Sequence, residues 1–194
     1  TAYLPAKYSF GKIEAVFSRI GDFIEGTELA TICVDGLGNF YITSSGSNWQ
    51  LWRLTPDGNK SLISLSGITR RVVTDAKIRG GVMYVFGNYT NREIQQVNLS
   101  TGVVSRYTQM PSASMIVQHG DFDSNGYLYA GGSSTDLCII PPSPPLALTT
   151  TQVKTSGEYK AETILVVRVS KDSSVYVASR TGGSVKIYRH RITS

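Results

Sequence analysis

The stretch Asn39-Phe40-Tyr41-Ile42-Thr43 has three close copies further along the chain. The copies are Val82-Met83-Tyr84-Val85-Phe86, Tyr127-Leu128-Tyr129-Ala130-Gly131 and Ser174-Val175-Tyr176-Val177-Ala178. Their central tyrosines, at positions 41, 84, 129 and 176, are 43, 45 and 47 residues apart. A period in the forties, with a short β-type run in each copy, is typical of propeller blades. The stretch therefore predicts an all-β fold, a small β-propeller of four blades.

Turn sequences around the repeated stretch predict four antiparallel strands in each blade. Asp35-Gly36-Leu37-Gly38 precedes the first copy, and Thr55-Pro56-Asp57-Gly58 follows the next apolar run. Both are rich in residues that favour tight turns. Leu99-Ser100-Thr101-Gly102 stands at the corresponding place in the second copy, which supports the register. The predicted blades cover about residues 29–67, 70–110, 113–157 and 162–194.

The last blade has room for only three strands, so the sequence also predicts how the ring closes. Lys12–Ile20 is strand-like and alternates, with Ile13, Ala15 and Phe17 on one side. An incomplete last blade would leave a row of unpaired backbone groups. We therefore expect Lys12–Ile20 to be the outermost strand of blade four, antiparallel to Lys186–His190. The alternative is a half-ring that pairs with a second copy of the chain.

Composition is consistent with one β domain, residues 12–194, preceded by an arm at residues 1–11. Of the 194 residues 41% are apolar and 17% charged, and 19 are glycines. No window of 18 apolar residues exists, so no membrane-spanning helix is expected. The first 20 residues lack the apolar core of a signal peptide, which predicts a location in the cytoplasm or within a virus particle. Cys33 and Cys138 fall on opposite blades and are expected to be free thiols.

One resemblance to known families is visible in blades one and three. The run from Ala30 to Thr43, continued by Trp52-Arg-Leu-Thr-Pro-Asp-Gly58, resembles the blade repeat of NHL and SMP-30/gluconolactonase-like propellers. Asp123-Ser-Asn-Gly-Tyr-Leu-Tyr129 is similar. The resemblance implies a propeller, and its SMP-30-like branch implies a metal-dependent hydrolase with a central divalent ion. None of that family's ligands maps onto this sequence, so the hydrolase is an alternative function only.

Metal and catalytic motifs are weak throughout. Asp121, Asp123 and Asn125 match the start of a calcium loop, but position 12 of an EF-hand loop needs Glu and is Gly132 here. The same sequence pattern is common in turns, where Asp and Asn side chains form hydrogen bonds with nearby backbone groups. No nucleophile elbow, phosphate loop or histidine pair at ligand spacing is present. The sequence therefore predicts no cofactor and no catalytic residues.

Two further groups of side chains suggest binding. Trp49 and Trp52 lie near Ser and Asn residues and could stack on a sugar, although a tryptophan in a third strand more often packs between blades. This leaves a lectin-like propeller as a second alternative function.

The basic C-terminal quarter and the aromatic arm favour protein contacts. Residues 151–194 hold 8 basic and 3 acidic side chains, which accounts for the whole net charge of +5. The predicted partner-binding residues are Tyr3, Tyr8 and Phe10 of the arm and Lys186, Tyr188, Arg189 and Arg191 of the last strand. We interpret the chain as a non-enzymatic structural or adaptor module that binds other protein subunits, including itself. A glycan is a lesser candidate and nucleic acid is not expected. By analogy with small cysteine-poor β modules, a virus or phage particle is the expected setting.

Overall fold

The computed structural model describes residues 7–10, 13–16, 29–44, 49–67, 72–87, 92–112, 114–133, 135–156, 162–172 and 174–191. These ranges form 17 β-strands, and none of them contains a helix long and apolar enough to cross a membrane. The strands build an all-β propeller of four blades, as the spacing of the tyrosines predicts.

Blades one and two each contain four antiparallel strands in chain order. Blade one consists of β3 (Leu29–Val34), β4 (Phe40–Ser44), β5 (Leu51–Leu54) and β6 (Lys60–Ile63). Blade two consists of β7 (Val73–Arg79), β8 (Val82–Gly87), β9 (Glu93–Asn98) and β10 (Val104–Gln109).

Blade three has four strands, and blade four has three among the described residues. Blade three consists of β11 (His119–Phe122), β12 (Leu128–Gly132), β13 (Thr135–Ile140) and β14 (Lys154–Thr155). Asp121 lies in its ladder opposite Tyr129, and the turn that follows begins at Asp123. Blade four consists of β15 (Thr163–Val169), β16 (Ser174–Thr181) and β17 (Ser184–Arg191).

The predicted closing strand needs correction. β2 (Ile13–Val16) pairs antiparallel with β1 (Lys7–Phe10), and this two-stranded sheet is separate from the sheet that contains β17. Only two residues separate these strands in sequence, so their pairing costs little loop entropy, whereas pairing with β17 would close a loop of more than 160 residues. The rest of Lys12–Ile20 lies outside the described residues. The arm at residues 1–11 is thus partly a strand.

Successive blades pack face to face and share three apolar cores. The first core joins blades one and two through Tyr41, Leu51 and Met83. The second joins blades two and three through Phe86 and Leu128, and Leu148 of the loop between β13 and β14 adds to it. The third joins blades three and four and contains the side chains of Tyr129, Leu137, Ile164, Val167, Val175 and Val177. The inner strands β3, β7, β11 and β15 contact one another in that order.

Each blade consequently has a front face, towards the preceding blade, and a back face, towards the following one. Because side chains alternate along a strand, the register assigns every residue to one of these faces. In each blade the central tyrosine points to the back: Tyr41 is 6% exposed and Tyr129 is 7% exposed. Among the described strands, β15 makes no contact with β3 comparable to those between the other inner strands. The back face of blade four and the front face of blade one therefore lack a described neighbouring blade.

Candidate functional site

The turn before the central tyrosine is fixed by an aspartate in blades one and three. Asp35 Oδ1 accepts hydrogen bonds from the backbone N–H groups of Leu37 and Asn39, each at 2.9 Å. Its Oδ2 accepts from the Tyr41 hydroxyl at 3.2 Å. Burial acts to raise the pKa of Asp35, but the bonds from Asn39, Leu37 and Tyr41 outweigh it and lower that pKa. The carboxylate is thus a structural group that ties the turn to the tyrosine.

The calcium candidates in blade three have the same structural role. Asp123 Oδ1 accepts from Tyr127 N–H at 2.8 Å, and its Oδ2 lies 3.5 Å from the Tyr129 hydroxyl. Asp121 Oδ2 accepts from Val169 N–H in blade four at 3.0 Å. Asn125 is exposed in the turn. In the part of the chain that the structure describes, no three His, Cys, Asp or Glu side chains are grouped so that they could hold a metal ion.

A cluster of charged groups lies between the inner strands of blades two, three and four. Asp75 Oδ2 accepts a hydrogen bond from Arg168 Nη1 at 3.0 Å and lies 3.8 Å from His119 Nδ1. Burial of Asp75 tends to raise the pKa of this carboxyl, but the contact with His119 and the charges of Lys77 and Arg168 outweigh it and lower the pKa. The cluster joins the inner strands of three blades. The negative charge of its buried acid, Asp75, is compensated by the nearby basic side chains.

A cavity of about 320 Å³ opens at the end of these inner strands. Basic side chains of Lys77, Arg79 and Lys171 line it together with Asp121 and Asp123. Both carboxylates accept hydrogen bonds from the backbone, Asp121 from Val169 and Asp123 from Tyr127. A second cavity, of about 630 Å³, lies between the turns of blades one and two, around Tyr41 and Arg53.

The back face of blade four is exposed and mixes apolar and basic side chains. We call the set Tyr176, Arg180, Val185, Ile187, Arg189 and Arg191 the blade-four face. Tyr176 is 37% exposed, Val185 60% and Ile187 78%. The Arg189 guanidinium lies 5.8 Å from the Tyr176 ring centroid and donates to Asp172 at 3.0 Å. Such aromatic and arginine side chains are enriched at protein interfaces.

The register shows how unusual that exposure is. Ile187 stands two residues before Arg189, the strand partner of the central tyrosine of blade four. The residues at the same place in the other blades are Leu51, Ile94 and Leu137. These three side chains are 0%, 1% and 3% exposed. Ile187 thus occupies a position that is core in every blade that has a neighbour behind it.

The front face of blade one shows the complementary pattern. We call Ile32, Val34 and Leu62 the blade-one face; they are 59%, 50% and 49% exposed, while Ile42 and Leu54 on the middle strands of the same side are buried. Ile32 precedes Cys33, the strand partner of Tyr41. At the same place the other blades have Ala76, Gly120 and Val167, which are all buried.

The residues predicted to bind a partner are divided between two faces. Lys186 and Tyr188 lie on the front face of blade four, where both contact Glu162 Oε1, at 3.1 and 3.3 Å. Arg189 and Arg191 lie on the blade-four face. Tyr8 and Phe10 belong to β1, and Tyr3 is outside the described residues. Sequence reasoning missed Tyr176, Val185 and Ile187, because the closing strand was expected to complete the ring beside them.

The two tryptophans of the glycan hypothesis differ in exposure. Trp49 is 6% exposed and belongs to the core between blades one and two, so its ring has no free face for a sugar. Trp52 is half-buried, and Lys60 Nζ lies 5.5 Å from its ring centroid. The packing role expected of a third-strand tryptophan is the one that Trp49 has. Cys33 and Cys138 are free thiols, as predicted.

Comparison with known proteins supports the fold. No protein-family model matches the chain, and no curated protein matches its sequence. Among solved structures, the computationally designed Ika4 protein is similar with a TM-score of 0.60 at 9% identity, over 89% of this chain and 98% of that one. The WD40 propeller domain of Doa1 has a TM-score of 0.56 at 17% identity, over 82% of this chain and 50% of that one. A putative gluconolactonase has a TM-score of 0.53 at 15% identity, over 90% and 64%.

These similarities concern architecture alone. The chain spans half the length of the Doa1 chain and less than two thirds of the putative gluconolactonase. At such low identity the propeller fold is shared, and a shared fold does not bring a shared function.

Proposed function

We propose that this protein is a non-enzymatic protein-interaction module, a structural or adaptor component, that docks a protein partner on the blade-four face. The observation that supports the proposal is the 78% exposure of Ile187, at a position where the other three blades bury Leu51, Ile94 and Leu137. An apolar side chain left in water at a core-type position favours association, because covering it removes apolar surface from water.

The rest of the face fits the same role. Val185 and Tyr176 extend the apolar surface across two strands, and Arg180 and Arg191 border it. Tyrosine and arginine often contribute most to the energy of protein interfaces. β17 is the outermost of the described strands of blade four, and addition of a strand to such an edge is a common mode of peptide recognition.

The alternatives have less support. A lectin-like role has less support because Trp49 is buried and cannot stack on a sugar. Trp52, the other candidate, is half-buried. The metal-dependent hydrolase implied by the family resemblance stays a prediction, as does the virus or phage setting.

Chemical cross-linking in the protein's own host cells tests the proposal. Tagged wild type, Ile187→Asp and Leu37→Asp would be compared by quantitative mass spectrometry of the cross-linked proteins. Leu37 is the matched control, since it is 82% exposed in a turn of blade one. We expect partners that cross-link to wild type and Leu37→Asp to be reduced at least tenfold with Ile187→Asp. Equal recovery with all three proteins would contradict docking on this face.

A further inference from the structure

We infer that the partner of the blade-four face is the blade-one face of a second copy of this chain. The inference rests on the proposed function and names its partner. Two copies related by a twofold axis would make two identical contacts, blade four of each against blade one of the other. The product is a closed ring of eight blades, in which no blade lacks a neighbour.

The first argument is that the two exposed faces are of complementary kinds. Wherever two blades meet within the chain, the back face of one packs on the front face of the next. The blade-four face is a back face, and the blade-one face is a front face. Among the described blades, one face of each kind therefore has no neighbouring blade, and the contacts between successive blades show how two such faces pack.

The second argument comes from matched positions on the front faces. Ile32 is 59% exposed, whereas Ala76 is 1% and Val167 is 0% exposed at the same place in blades two and four. Val34, two residues further along β3, is 50% exposed. Ile32 and Val34 are thus exposed on a face that is buried against the preceding blade in blades two and four. Ile187 is exposed in the same way on the back face of blade four.

The basic side chains of the blade-four face are compatible with such a contact. Arg189 pairs in the ladder with Tyr176, and Arg53 pairs in the same way with Tyr41. Arg53 lies at the contact of blades one and two, and its Nη2 donates to Asn39 Oδ1 at 3.1 Å. The contact between blades one and two therefore accommodates an arginine at the position that corresponds to Arg189.

Closure within a single chain is not what the described strands show. β15 is held towards β7 by the hydrogen bond from Arg168 to Asp75, and it makes no extended contact with β3. Ile187 on the back face of blade four and Ile32 on the front face of blade one are exposed. Because each copy offers one front and one back face, a twofold pair satisfies all four faces at once, and closed symmetric pairs are the commonest assemblies of identical chains.

The mass in solution tests the pair. We expect light scattering coupled to size exclusion to give twice the 21.1 kDa of one chain. The mass should persist in high salt, because salt does not screen the apolar contacts of Ile187 and Ile32. Ile187→Asp and Ile32→Asp should each give the single-chain mass. A carboxylate forced into an apolar contact should raise the dissociation constant about 100-fold or more. Leu37→Asp should remain paired.

Two variants on opposite faces keep the result decisive. If Ile187→Asp dissociates the pair and Ile32→Asp does not, the copies meet back to back, and the inference is wrong. A wild-type protein with the mass of a single chain also overturns the inference. That outcome leaves the proposed function standing when Ile187→Asp still removes cross-linked partners, so the two failures are distinct. Ile187→Ala and Ile32→Ala, which remove apolar surface without adding charge, should weaken the pair less and provide the same readout if an aspartate variant misfolds.

Discussion

Replacing Asp75 by Asn should destabilise the propeller, because Asp75 is the buried acid of a cluster that joins three blades. The substitution keeps the shape of the side chain and removes its charge. Asp75 has a side chain only 6% exposed, and its Oδ2 accepts from Arg168 at 3.0 Å. Its Oδ1 accepts from the backbone of Ala76 at 2.9 Å. Without the carboxylate, Arg168 and the nearby Lys77 lose the acid that compensates them.

The magnitude follows from the exposure of the partners. A hydrogen bond to a charged group contributes about 1.5–3 kcal/mol, and breaking a fully buried ion pair costs about 3–5 kcal/mol. Arg168 is 47% exposed, so water replaces part of what it loses. We therefore expect Asp75→Asn to lower the free energy of unfolding by about 1–3 kcal/mol at pH 7.

The effect should depend on pH with a definite sign. The pKa of Asp75 is lower in the folded protein than its ordinary value. Its stabilisation is therefore complete above the unfolded-chain pKa of about 3.9 and is lost as the pH falls through the folded-state pKa. The difference between wild type and Asp75→Asn should persist from pH 7 to 5 and shrink towards pH 3.

Urea denaturation followed by circular dichroism at pH 7, 5 and 3 measures this difference. Asp57→Asn is the control, since Asp57 is an exposed acid in a turn of blade one, and its substitution should change stability little. Equal stability of wild type and Asp75→Asn at pH 7 would refute the reasoning, as would a difference that is the same at pH 3. An effect of Asp57→Asn as large as that of Asp75→Asn would show that the cluster is not special.

Three further predictions test the packing of the blades. Leu51→Ala should lower the free energy of unfolding in urea by about 2–5 kcal/mol, because Leu51 is fully buried; a loss below about 0.5 kcal/mol, the level expected of a surface site, would contradict the register. Gly132→Ala should cost about 1–3 kcal/mol in the same assay, since its Cβ would lie 2.4 Å from the Ile116 carbonyl oxygen, whereas Gly183→Ala meets nothing within 4 Å and should be tolerated. Burial raises the pKa of the Cys33 and Cys138 thiols to about 12, so alkylation at pH 8, followed by mass spectrometry, should be about 1000-fold slower in the folded protein than in urea, and native labelling at the rate of a free thiol would contradict this.

The blade repeat is predictable from the sequence because its determinants are local. Each copy of the tyrosine strand is a short β-type run with a tyrosine at its centre, and the turns beside it contain residues whose preferences depend on their own backbone. Asp35 bonds to residues within six positions of itself, and Gly126 adopts a φ of 93°, which favours glycine. Such features need no knowledge of distant parts of the chain. The four-blade architecture follows from them.

The candidate site is less predictable because it depends on contacts between distant residues. Asp75 and Arg168 are 93 residues apart, and neither stands in a recognisable motif. The closing strand fails for a related reason: the pattern of Ile13–Val16 is compatible with any neighbouring strand, and the local partner β1 is the one it has. Trp49 and Trp52 cannot be told apart from the sequence, since the face on which each lies depends on the register. The exposure of Ile187 arises because no described blade packs behind blade four, and the sequence of its own strand does not reveal this.

Blade four differs from blades one and three in how its central tyrosine is held. In blades one and three an aspartate six residues before the central tyrosine accepts from its hydroxyl, and that tyrosine is buried against the next blade. At the same place in blade four stands Ser170, whose hydroxyl bonds within its own turn to Ser174. Tyr176 thereby lacks the acceptor that orients the other two, and it lies at the surface beside Arg189. If a second copy covers this face as inferred above, the Tyr176 side chain can adjust to that neighbour, because no aspartate six residues before it holds its hydroxyl.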